Sequence, residues 1–191
     1  MTESDDTAPK LEPALEELRQ RLDADLAAVM AEVANLTQAQ ADWKPAPERW
    51  SVGEVLHHLA LANRSFAFVV RKLVTRGHSE GLAAQPGARR SWPRMRSIAD
   101  ASLSGPVRNP DRATPRHGRP IEALRNELVA SHAAVAEQLP TLAGLDLAAL
   151  TLSHPLGFDL NLYQWVDIAG AHERRHLAQI RTVIAEPGFP R

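Results

Sequence analysis

Hydrophobic positions recur at three- and four-residue steps along most of this chain. Leu11, Leu15, Leu18, Leu22, Leu26, Val29, Val33 and Leu36 form the first such stripe, with Glu, Arg and Asp between them. That spacing predicts a long amphipathic helix. A Pro-containing connection follows at residues 43–47, and Ser51-Val52-Gly53-Glu54 then reads as a capping box, flanked by Trp50 and Val55 as a hydrophobic staple. The second helix should start at Ser51, carry Leu59, Phe66, Val69 and Leu73, and stop near Gly77.

Periodicity disappears over residues 77–119, where Pro, Gly, Ser and Arg dominate, so this stretch predicts a long crossover with at most short helical turns. Pro120 suits the first turn of a third helix bearing Ile121, Leu124, Leu128, Val135 and Leu139, closed by Pro140. Residues 145–158 form a second irregular link containing His154-Pro155. Asn161 and Gln164 repeat the capping-box chemistry, flanked by Leu160 and Trp165, and open a fourth helix that runs to about Glu186. Four long helices without a convincing strand predict an all-α four-helix bundle.

Composition narrows the picture. With 191 residues of which 44 % are apolar, the chain supports one domain with a real core, expected over residues 11–191 behind a flexible tail at 1–10. Formal charge is −1, so nothing global favours a nucleic-acid or anionic-membrane partner. The absence of Cys excludes disulfides, thiolate metal sites and a Cys nucleophile, leaving His and carboxylates as ligands. Residues 1–10 are acidic and polar, without the order of a signal peptide, and no apolar run is long enough to span a bilayer. A soluble cytoplasmic protein is the expectation.

The candidate chemistry lies in histidines. His172 and His176 share one helical face at i and i+4, and His57-His58 offers a third imidazole from the second helix. At about 100° per residue, His58 falls roughly 75° from the apolar centre of its helix and His57 almost opposite, which makes His58 the inward residue and His57 a surface one. The same construction places His176 near the middle of the core face and His172 roughly 60° to one side. Each imidazole alone reads as a hydrogen-bonded core residue. Together, three buried rings carry a desolvation cost that one divalent cation could offset at once. Three nitrogens leave coordination positions open, as catalytic sites do.

His172-Glu173-x-x-His176 also matches the zincin pattern, but the Gly and third His of its extended form are missing downstream, where Gln179 and Ile180 stand. Glu173 projects roughly 40° from the core direction, on the flank away from His172. It is a candidate general base on an activated water, or one half of an interhelical ion pair. Gln179 continues the His172-His176 stripe and could bond water or substrate, or make a polar core contact.

Trp50-Ser51-Val52-Gly53-Glu54-Val55-Leu56-His57-His58-Leu59, then His154-Pro155-x-Gly157, then His172-x-x-x-His176-x-x-Gln179-Ile180, resemble the DinB-like family over most of the chain. The resemblance implies an up-down-down-up four-helix bundle, in which residues 77–119 are the crossover. It implies a divalent metal, commonly zinc or nickel, on His58, His172 and His176. It further implies thiol S-transferase, isomerase or hydrolase-like chemistry on a small-molecule substrate. A low-molecular-weight thiol cosubstrate must come from outside a chain without Cys.

Arg89, Arg90, Arg94, Arg96, Arg108, Arg112, Arg116 and Arg119 make the crossover basic against Glu80, Asp100 and Asp111, either to hold an anionic cosubstrate or as a solvated loop. Trp92 is its one aromatic, too few for a nucleic-acid stacking platform. The alternative to an enzyme is a metal-stabilised module without turnover. Leu61 and Phe68, opposite the core stripe of the second helix, would suit a homodimer face.

Overall fold

The computed structural model describes residues 11–95, 113–155 and 157–191. The expected N-terminal tail and Arg96, Asp100, Arg108, Asp111 and Arg112 of the crossover lie outside them.

Among the described residues four long helices build the fold: α1 (Pro13–Val33), α3 (Val52–Ser79), α4 (Ile121–Ala136) and α5 (Leu162–Ile184). A short α2 (Gln38–Asp42) lies between the first two, a 3-10 turn (Leu139–Leu142) follows α4, and a small antiparallel hairpin, β1 (Thr151–Ser153) with β2 (Asp159–Asn161), leads into α5. Both anticipated capping boxes form. The Ser51 hydroxyl accepts from the Glu54 N–H while Glu54 accepts from the Ser51 N–H, and Asn161 and Gln164 do the same for α5. A third box, Thr37 with Gln40, opens α2. The long connection after α1 therefore contains a helical turn beyond the expected irregular chain. The hairpin is likewise additional to the expected architecture.

Contacts between named residues give the helix directions. Arg21 meets Asp167, Asp25 meets Arg174, and Glu32 meets Arg181, so α1 and α5 run parallel. His58 lies beside His172, and Phe66 beside Trp165, so α3 runs against α5. Gly53 lies against Leu124, and Asn63 shares Glu173 with His132, so α4 runs along α3. The result is the up-down-down-up bundle, whose parallel middle pair requires a long crossover from the end of α3 to the start of α4.

The core is divided. One apolar cluster gathers Leu15, Leu18, Leu22, Phe66, Val70, Leu73, Val135, Leu139 and Trp165. The other gathers Val29, Val33, Val55, Leu59, Leu124, Leu128, Ile180 and Val183. Between them the helices contribute Asp25, Asn63, His132, His172, Glu173 and His176, all buried. Every helix of the bundle thus interrupts its apolar stripe at the same level. Such a layer is costly unless its members satisfy one another.

Candidate metal centre

His58 sits in the second turn of α3, whose start is fixed by the Ser51–Glu54 box, and His172 and His176 occupy successive turns of α5. The antiparallel packing of α3 on α5 brings the three rings together. His58 Nε2 is 3.2 Å from His172 Nε2, which is 3.1 Å from His176 Nε2. Two nitrogens bound about 2.1 Å from one ion stand about 3.0 Å apart at 90° and about 3.4 Å apart at the tetrahedral angle. The observed separations fall between those values. The three imidazoles offer ligand atoms within 4.8 Å of one another, and all three residues are buried.

Proton placement supports the same reading. The Nδ1–H of His58 donates to the Ala113 carbonyl at 2.8 Å, and the Nδ1–H of His176 donates to Gln179 Oε1 at 2.7 Å. In each neutral ring the Nε2 lone pair therefore points into the cluster. His172 Nδ1 has no hydrogen-bond partner among the described residues. A proton on His172 Nε2 can serve one neighbour, and the other short N···N contact is then lone pair against lone pair. One divalent cation resolves all three, so the donor set fits a metal.

Electrostatics hold the rings neutral. Burial, the neighbouring His176 and His58, Arg175 and His154 push His172 well below the usual imidazole value. Burial and His58 push His176 down to about 3, against the opposing bond to Gln179. Burial also lowers His58, although the Ala113 carbonyl opposes it. Neutral imidazole is the ligating form.

Aromatic side chains wall the cluster. Centroid to centroid, Trp50 lies 4.9 Å from His58 and 6.4 Å from His176, and Phe66 lies 5.8 Å from His172 with the two rings nearly perpendicular. His154, in the hairpin, stacks on Phe158 at 4.7 Å and lies 5.5 Å from Trp165.

Glu173 and Gln179 take different places. Gln179 bonds the outer nitrogen of His176. Glu173 is fully buried, and its Oε1 accepts from Asn63 Nδ2 at 2.9 Å and from His132 Nδ1 at 3.0 Å, which ties α3, α4 and α5 together. On the far side of its ring, His132 faces Asp23 at 3.7 Å. Burial alone would lower His132, but the bond to Glu173 and the charges of Glu173 and Asp23 outweigh it and raise its pKa.

His57 is not a surface residue. It is 6 % exposed, because the end of the crossover covers this side of α3 and the Arg116 N–H donates to its Nδ1 at 2.8 Å. The helical wheel assigned its side of α3 to solvent; the end of the crossover fills that space. His132 and Asn63 were missed for another reason. His132 continues the Leu124–Leu128 stripe toward Val135, where its polarity hid it among the core positions.

The DinB superfamily model matches residues 15–180. YuaE, an uncharacterised protein of Bacillus subtilis strain 168, is 25 % identical over 159 residues, which cover 80 % of this chain and 88 % of that protein. The solved structure of YfiT from Bacillus subtilis, described as a probable metal-dependent hydrolase with an unusual four-helix bundle topology, aligns with a TM-score of 0.60. It does so at 18 % identity over 96 % of this chain and 94 % of that one, a likeness of fold. With its motifs lying inside a family match that spans most of its length, this chain belongs to the DinB superfamily.

Proposed function

We propose that this protein is a divalent-metal-dependent enzyme in which His58, His172 and His176 hold the ion and a small nucleophile, water or an external thiol, attacks a small-molecule substrate. The observation that carries the reading is the convergence of three buried Nε2 atoms at 3.1 and 3.2 Å, two of them deprotonated by the bonds their Nδ1–H groups make. A divalent ion in that position supplies Lewis acidity and lowers the pKa of a water or thiol that reaches it. Zinc and nickel both suit three imidazoles.

The chain's own residues supply orientation and a dry surround. Ala113 and Gln179 fix two ring orientations, and Trp50 and Phe66 keep water from the sides of the rings they touch. Glu173 ties three helices together and Gln179 supports His176. Hydrolysis draws support from the description of YfiT; thiol transfer draws on the same acidifying chemistry. Protein stripped with chelator and reloaded with zinc or nickel should be assayed on activated esters and amides, and on electrophiles with added thiols. Turnover that requires the metal and disappears in His172→Ala supports the proposal. Absence of turnover in every loaded form counts against it.

A non-catalytic binding or dimerisation module is the second reading. Phe68 favours it, being 62 % exposed on the outer face of α3. Sedimentation of the parent beside Phe68→Glu tests it: a dimer that the substitution dissociates supports a pairing face, and a monomeric parent removes it.

A further inference from the structure

The two adjacent histidines of α3 hold one piece of crossover by its backbone at two points. His58 donates its Nδ1–H to the carbonyl of Ala113, and three residues later the N–H of Arg116 donates to Nδ1 of His57, both at 2.8 Å. One imidazole gives and its neighbour receives, so residues 113–116 are pinned across the start of α3 at two points. Only one of the two rings belongs to the three-nitrogen cluster.

This arrangement links a residue outside the cluster to the orientation of one within it. The Ala113 carbonyl sets which His58 nitrogen carries the proton and holds the ring plane, but a carbonyl in a loop can orient a ring only if the loop is itself held. Ala113 opens the second described stretch of the crossover, and three residues on the bond from Arg116 to His57 anchors that stretch to α3. Beyond it, Arg119 pairs with Glu127 of α4 at 2.5 Å. That contact fixes the segment to α4, whereas the hydrogen bond to His57, followed by a longer approach of His117 to Glu54 at 3.7 Å, fixes it to the helix that carries His58.

We propose that His57 is a positioning residue for the metal centre, acting as the hydrogen-bond acceptor that seats residues 113–116 so that the Ala113 carbonyl orients His58. The inference rests on the three-histidine metal reading. It concerns the acceptor atom of His57 and not its bulk, and the two properties can be separated. Asn presents a side-chain oxygen close to where the His Nδ1 stands and is smaller. Phe fills the volume of the ring and accepts nothing.

Zinc affinity should be measured by chelator competition on the full chain for the parent, His57→Asn and His57→Phe, with the metal-free stability of each measured in urea. A near-parental affinity in His57→Asn with a loss of about tenfold in His57→Phe supports the proposal, since removal of outer partners of metal-bound His costs about 10- to 100-fold. The reverse order, equal affinities in all three, or a loss in both variants overturns it. Coupling must be reciprocal. Zinc should therefore slow tryptic cleavage after Arg116 in the parent and in His57→Asn, and do so less in His57→Phe. Equal protection in all three also overturns the proposal. A parent that binds no zinc at all fails the metal reading itself, which is distinguishable from a parent that binds zinc whatever stands at position 57.

Discussion

His132 of α4 donates a hydrogen bond from Nδ1 to the carboxylate of Glu173 on α5, at 3.0 Å, with both side chains almost wholly removed from solvent. Asn63 of α3 donates to the same oxygen at 2.9 Å, so a single buried atom receives bonds from two other helices. The contact lies at the level where the apolar core divides, beside the helical turn that carries His172. Removing one partner of such a pair costs more than the bond itself, because the other is left buried and unmatched.

His132→Leu is accordingly expected to destabilise the fold by about 3 kcal/mol, as for other broken buried pairs. His132→Asn, which retains a donor, should cost less. Urea unfolding of the metal-free proteins measures both. A His132→Leu variant as stable as the parent would show that the tie contributes nothing.

Acid should unfold the metal-free protein early. His58, His172 and His176 have folded-state values below 6.5, that of His176 at about 3, while in the unfolded chain they take up protons near 6.5. Below that pH the unfolded state binds more protons than the folded one, so these groups leave stability intact above about 6.5 and withdraw it as pH falls toward 3. Each contributes up to about 1.4 kcal/mol per pH unit in that window. His132, raised in the fold, works in the opposite direction, adding stability below 6.5 that is lost as pH rises through its folded value. Burial lowers His57 as well, so four groups outweigh one and the urea midpoint should fall between pH 7.5 and pH 5. An unchanged midpoint contradicts this.

Gln179→Leu removes the acceptor that holds the His176 ring at 2.7 Å. Zinc affinity should drop by about tenfold or more, with a smaller change in Gln179→Glu, which keeps an acceptor at the same reach. Chelator competition gives both values. Parental affinity in Gln179→Leu would mean that helix packing alone orients His176.

The bundle and its three-nitrogen cluster were legible because their determinants are local. Ser51 with Glu54 and Asn161 with Gln164 mark helix starts within four residues, and the wheel then turns His58, His172 and His176 inward from apolar spacing alone. What escaped depends on chain distant in sequence. His57 is buried by Arg116, across a crossover whose path no helical period encodes. The strands Thr151–Ser153 and Asp159–Asn161 have three residues each, too short for an alternating pattern to register. The Thr37–Gln40 box carried a readable signature, obscured by the apolar stripe that runs on to Leu36. Glu173 was open to two readings, general base or interhelical partner, and its contacts with Asn63 and His132 could be identified only once three helices were packed.

Metal content of untagged protein, read by mass spectrometry beside His58→Ala and His172→Ala, decides whether the three histidines hold an ion. Close to one transition-metal ion per chain is expected in the parent and little in either variant. A parent that stays metal-free after equilibration with zinc and nickel would contradict it.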